Sequence, residues 1–243
     1  GSPNRQGELP NPGSEPERIG NELWRIDLGP DTAALLGEGY NPLPSPDGTH
    51  LLFFRRGQPM LLALTDTAEA KQAFRIRGGV SSPRWSPDGR QLAFSNTRGD
   101  HSYIVLYDLE SEEFSFLNPS LHQDSQPVWS PDGRRLAWLR RPHQKDRWSF
   151  IPRPTSLPWS ILVADVATGE VKTAWTAPPG PGSTFQSVSA DRQLFWTAGD
   201  LLVFPWEGDG WTHLYALSAD GGEPRLLTPG DGEVQYVSLS PDG

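Results

Sequence analysis

Ser82-Pro83-Arg84-Trp85-Ser86-Pro87-Asp88-Gly89-Arg90-Gln91-Leu92-Ala93-Phe94 decides how this chain is read, because its centre, Ser-Pro-Asp-Gly, recurs at 45–48, 130–133 and 240–243. A worn copy, Ser189-Ala190-Asp191-Arg192, lies between the last two. Successive Asp residues at 47, 88, 132, 191 and 242 are 41, 44, 59 and 51 residues apart. Self-similarity at about 40–50 residues marks a repeat architecture, and a four-stranded propeller blade has that length.

The chemistry of the motif makes it a hairpin tip. Pro pre-sets φ for the turn, Asp bonds nearby backbone, and Gly supplies the left-handed residue. Downstream, Leu51/Phe53, Leu92/Phe94, Leu136/Trp138 and Leu194/Trp196 hold the same two places, on one face of a strand. Upstream, Trp85 and Trp129 directly precede the Ser, while Pro42, Pro83 and Pro127 stand three residues before it, where a strand's first residue is expected. Third strands are predicted at 23–27, 104–108, 161–165 and 214–217, and fourth strands at segments such as Phe114–Leu117, Val171–Trp175 and Arg225–Thr228. The fold class is therefore all-β, a β-propeller with about four complete four-stranded blades and a partial blade at each end.

Residues 1–18, with Pro3, Pro10, Pro12 and Pro16, read as an extended tail, and Gly1-Ser2 as a tag remnant; 19–243 read as the propeller domain. Blades are expected to begin near Tyr40, Val80, Asp124 and Thr184, with a further one opening at Val234. The sequence stops at Gly243 within a hairpin tip, so the natural protein is expected to continue. The unit from 124 to 183 is lengthened by an insertion at 140–154, where four Arg, one Lys and two aromatics collect. Insertions into a repeat map to one face, often the binding face.

The net charge of −9 and the lack of any long basic run argue against nucleic acid as a partner. Without cysteine there is neither a disulfide framework nor a thiolate nucleophile. No apolar run approaches the ~20 residues of a membrane span. No Gly-x-Ser-x-Gly, no His-Glu-x-x-His and no phosphate-cradling loop occurs. The repeated Asp residues have a sufficient cause in the turns, so no metal and no cofactor is expected. Glu207-Gly208-Asp209-Gly210 reads as a hairpin turn, and Trp85 and Trp129 as packing between blades rather than a sugar-stacking surface.

Pro158–Glu170 and the run from Leu202 to Gly243, with Gly210-Trp211-Thr212-His213-Leu214-Tyr215, Gly221-Gly222 and Leu227-Thr228-Pro229-Gly230, carry a resemblance. The chain resembles the N-terminal β-propeller of the prolyl oligopeptidase family of serine peptidases, above all its bacterial dipeptidyl peptidase IV-like branch. That resemblance implies an exopeptidase whose Ser-Asp-His machinery lies in an α/β-hydrolase domain beyond Gly243, with the propeller non-catalytic and gating access of peptide substrate. This sequence carries none of that triad. It also lacks the family's paired glutamates for a substrate amine, since Glu112-Glu113 fall in a turn between strands. Arg140, Arg141, Arg147 and Arg153 are the candidates for contact with a substrate carboxylate. TolB-type propellers share the Ser-Pro-Asp-Gly unit, so the alternative is a periplasmic protein-binding scaffold. A periplasmic or secreted location is expected, with the cytoplasm and a homo-oligomer left open.

Overall fold

The computed structural model describes residues 20–29, 32–64, 69–143, 157–180 and 182–240. The tail at 1–18, the segment 144–156 and the last turn residues lie outside them. Contacts divide the chain into two compact units, 1–75 and 76–243.

In the first unit, β1 (Glu22–Asp27) pairs antiparallel with β2 (Thr32–Glu38). A four-stranded antiparallel sheet follows: β3 (Tyr40–Pro44), β4 (His50–Arg55), β5 (Gln58–Ala63) and β6 (Lys71–Gln72). Leu23, Leu51, Phe53 and Leu62 form its core.

The second unit repeats the plan three times. A second sheet comprises β7 (Gly79–Trp85), β8 (Gln91–Thr97), β9 (Ser102–Asp108) and β10 (Phe114–Leu117). The third holds β11 (Gln123–Trp129), β12 (Arg135–Arg141), β13 (Ser160–Asp165) and β14 (Val171–Thr176). The fourth holds β15 (Phe195–Trp196), β16 (Leu201–Trp206), β17 (His213–Ser218) and β18 (Arg225–Leu226). One parallel bridge, Gln123 to Ser102, links the second and third sheets by hydrogen bonding.

The central strands of the third sheet are buried on both faces, because that sheet is stacked between the second and the fourth. Leu136 and Trp138 pack with Ala93, Ile104 and Leu117 of the second sheet. The intervening Ala137 and Leu139 face the other way, onto Trp196, Leu202 and Phe204 of the fourth. The predicted i, i+2 pairs thus share a face, and Trp129 joins the same inter-sheet core.

The three tips are built alike, with the buried Ser at the centre. Its hydroxyl donates to the Asp carboxylate at 2.6 Å and accepts the backbone N–H five residues on at 2.9 Å, at Ser45, Ser86 and Ser130 alike. Each Asp also accepts the N–H two residues later at 3.1 Å. Gly48, Gly89 and Gly133 have φ of 69°, 73° and 70°, the region only glycine enters without cost. Acceptance of these hydrogen bonds, the one from Ser first, holds Asp88 and Asp132 below the usual carboxylate range and Asp47 at about 2.

Two expectations are corrected. Pro42, Pro83 and Pro127 are not first residues of strands; each sits inside one, at a β-bulge where the ladder skips. The residue before each, Asn41, Ser82 or Gln126, is left-handed (φ 52°, 50° and 59°), and the bulge leaves a place that needs no N–H, which suits Pro. Second, Ser189–Arg192 is not the fourth tip. That role falls to Thr197-Ala198-Gly199-Asp200, where Thr197 and Leu201 close the hairpin and Asp200 takes φ 60°. Phe195-Trp196 is consequently a first strand rather than a second, and β16, unassigned in the sequence reading, is the second. At the end of the chain, Tyr236 repeats the left-handed bulge residue (φ 58°) four positions before Ser240.

Candidate functional site

Each sheet puts its Ser-Pro-Asp-Gly or equivalent tip at one end. The opposite end carries the turns between second and third strands and the connections between sheets. On that end of the second unit, the turn 98–101, the connection 118–123 and the end of β12 meet.

Asp100 is the hub of this rim. His101 Nδ1 lies 2.8 Å from its Oδ1, and His143 Nε2 lies 3.9 Å from its Oδ2. Tyr103 OH is 2.8 Å from His101 Nε2. An ionised carboxylate can only accept, so His101 donates through Nδ1; its Nε2, in the neutral ring, then accepts from Tyr103. The hydrogen bond from His101 also holds the Asp100 carboxyl below its ordinary range. His122 Nδ1 accepts the His143 backbone N–H at 3.2 Å, which fixes its proton on Nε2 in the neutral ring. Three histidines, a carboxylate and a tyrosine hydroxyl therefore share one rim, at the root of the insertion. None of this was legible in the sequence, where the histidines are 21 residues or more apart, His101 to His122 to His143, and stand at no motif spacing.

Arg140 is turned into the protein. Its Nε and Nη2 contact Asp124 Oδ1 and Oδ2 at 2.7 Å each, and Nη1 and Nη2 reach the Asn118 side chain and carbonyl at 2.7 and 2.8 Å. Asp124 is fully buried; desolvation pushes its carboxyl up, and Arg140 pulls it back. The repeat explains this placement. Ten residues after the tip Ser stand Arg55, Asn96 and Arg140, and each ties its second strand to the incoming connection: Arg55 to Glu38 O, Asn96 to Arg77 O and Gly79 O, Arg140 to Asn118 O. Trp206, donating to Gly182 O, does the same in the fourth sheet. Arg140 is thus a strut that shapes the rim. Arg141 ends β12 on the exposed side, whereas Arg147 and Arg153 lie outside the described residues.

Among the described residues no group of three His, Asp or Glu could hold a metal ion, and no helix is long and apolar enough to cross a membrane. Glu207–Gly210 is the expected hairpin turn, with Asp209 meeting the buried His213 at 3.0 Å.

Repeated four-stranded antiparallel sheets, three of them opened by the same Ser-Pro-Asp-Gly tip and those of the second unit stacked face to face, define the class: a β-propeller. No protein-family model and no curated protein matches the sequence. The fold does match solved structures. A puromycin-hydrolyzing peptidase of Mycobacterium tuberculosis aligns with a TM-score of 0.61 at 17% identity, over 86% of this chain and 35% of that one. TolB from Acinetobacter baumannii aligns with a TM-score of 0.56 at 24% identity, over 88% of this chain and 50% of its own. The β-propeller domain of the Trilobed protease from Pyrococcus furiosus gives 0.55 at 17%, over 86% and 62%. The chain is thus similar in fold to TolB and to peptidase propellers, and spans about half the length of that TolB.

Proposed function

We propose that this chain is the non-catalytic propeller of a serine exopeptidase, gating peptide access and packing on an α/β-hydrolase domain. The observation that carries the reading is the rim: His101 and His143 flank Asp100, and His122 accepts the His143 backbone N–H, on the blade end that also bears the insertion. A peptide approaching there meets a hydrogen-bonding surface whose shape Arg140 maintains, with Arg141, Arg147 and Arg153 as candidates for its carboxylate. The sequence resemblance in Pro158–Glu170 and Leu202–Gly243 supports the same assignment. A periplasmic or secreted location accompanies it. The test is to treat the product of the full natural reading frame with a serine-reactive phosphonate and locate the label by mass spectrometry. One labelled serine outside residues 1–243 is expected; absence of labelling removes the peptidase assignment. The second reading is a TolB-type protein-binding scaffold, favoured by the 24% identity to the Acinetobacter TolB. It predicts no labelling and a reading frame that ends after further blades.

A further inference from the structure

A cleft of about 440 Å³ runs along the outer side of the second unit, between β10 and the turn 166–169 that joins β13 to β14. That volume falls in the range of ligand-binding clefts, roughly 300–1,000 Å³. Leu106 and Leu117 lie at its base among polar side chains, and Phe116, 41% exposed, projects from the other face of β10 beside Tyr103. β10 pairs only with β9, so its outer edge has no strand beside it among the described residues. Such an edge presents backbone donors and acceptors to any extended chain.

The cleft is acidic. Asp108 and Glu113 line it, no Lys or Arg does, and Glu110 and Glu112 belong to the same turn. Asp108 is committed to that turn through Glu110 N and Ser111 N, and to β8 through Gln91 Nε2. Glu113 makes no side-chain hydrogen bond or ion pair among the described residues. A four-residue edge is about 14 Å long at ~3.4 Å per residue, which matches four residues of extended peptide.

We propose that this cleft docks an extended basic segment of a partner protein, laid along β10 as a fifth strand with a Lys or Arg on Glu113 and an apolar side chain against Phe116. Main-chain pairing supplies affinity, and the alternating pockets supply selectivity for a basic–apolar alternation. The inference is independent of the peptidase reading, since it uses the edge of β10 away from β9; Phe116 touches the rim only through the Tyr103 ring, and none of the rim histidines takes part.

The experiment titrates the 243-residue chain into a fluorescein-labelled, N-acetylated, C-amidated Lys-Val-Lys-Val-Lys-Val peptide at low salt, read by anisotropy. A Lys-Pro-Lys-Pro-Lys-Pro peptide keeps the charge but lacks every second N–H and is held near φ −65°, so it pairs poorly with a strand edge, and Glu-Val-Glu-Val-Glu-Val reverses the charge. Saturable binding by the first is expected, weakened roughly tenfold or more in each of the other two peptides and in Glu113→Lys. Amide exchange over 114–117 should slow on binding. The proposal is overturned if the Lys-Val peptide fails to saturate, if Lys-Pro binds as tightly, or if Glu113→Lys, shown folded by circular dichroism, binds unchanged.

Discussion

Arg140→Met tests whether this arginine is an internal strut. The substitution keeps most of the aliphatic stem but removes four contacts of 2.7–2.8 Å and leaves the fully buried Asp124 without its cation. Breaking one side of a buried pair costs about 3–5 kcal/mol. At a urea m-value of about 2 kcal/mol/M, that lowers the unfolding midpoint by about 2 M. The pH dependence supplies a second readout. Burial already raises the Asp124 pKa, and loss of Arg140 raises it further. A carboxyl with a folded pKa above its unfolded value of about 3.9 stabilises fully below that value and loses the contribution as pH rises through the folded pKa. The deficit of Arg140→Met should therefore be largest at pH 8 and shrink towards pH 5. Adding Asp124→Asn should flatten this dependence and restore part of the stability. Urea denaturation followed by tryptophan fluorescence at both pH values measures all three proteins. A deficit below about 1 kcal/mol, or one equal at pH 5 and 8, would refute the reasoning.

Ser86→Ala and Ser130→Ala each remove a donor to Asp and an acceptor for a backbone N–H, so each should cost about 1–3 kcal/mol in a denaturant titration. Because Asp47, Asp88 and Asp132 titrate below their unfolded values, the tips' contribution is present above about pH 4 and lost as pH falls towards 2, which an acid titration by circular dichroism would follow. Asp200→Ala removes both 2.7 Å contacts from Arg135 Nη2 and the acceptor of the buried Trp196 indole N–H at 2.9 Å. With Asp200 46% exposed, the ion-pair part should be about 1 kcal/mol and shrink in high salt, while the stranded indole adds a salt-independent loss of about 1–3 kcal/mol. Gly182→Ala combines φ +72° with a Cβ driven into Trp206 and the Glu207 backbone, and should lower the melting temperature by several degrees more than Gly169→Ala, which has open space.

The blade count and most strand positions could be read from residues alone, because a tip is a local object. Ser, Pro, Asp and Gly within four positions define their own turn, and the Leu-x-Phe or Leu-x-Trp pair that follows declares a strand face. Where the local chemistry is diluted, neighbouring residues no longer define the turn. Ser189–Arg192 keeps the spacing of a tip, yet Thr197–Asp200 makes the hairpin, since closure depends on which strand β16 can pair with. Pro83 and its counterparts announce a missing donor without saying whether the gap lies at a strand's start or at a bulge.

Side-chain partners are a longer-range matter. Arg140 stands at the mouth of a basic insertion, and only the return of the chain at Asn118 and Asp124 turns its guanidinium inward. His101, His122 and His143 are scattered in sequence; stacking one sheet beside the next brings His143 to Asp100 and His122 to His143, beside His101. Turn chemistry is settled by neighbours in the chain and so is written in the sequence, whereas the rim and the cleft belong to surfaces that exist only once separate sheets have packed.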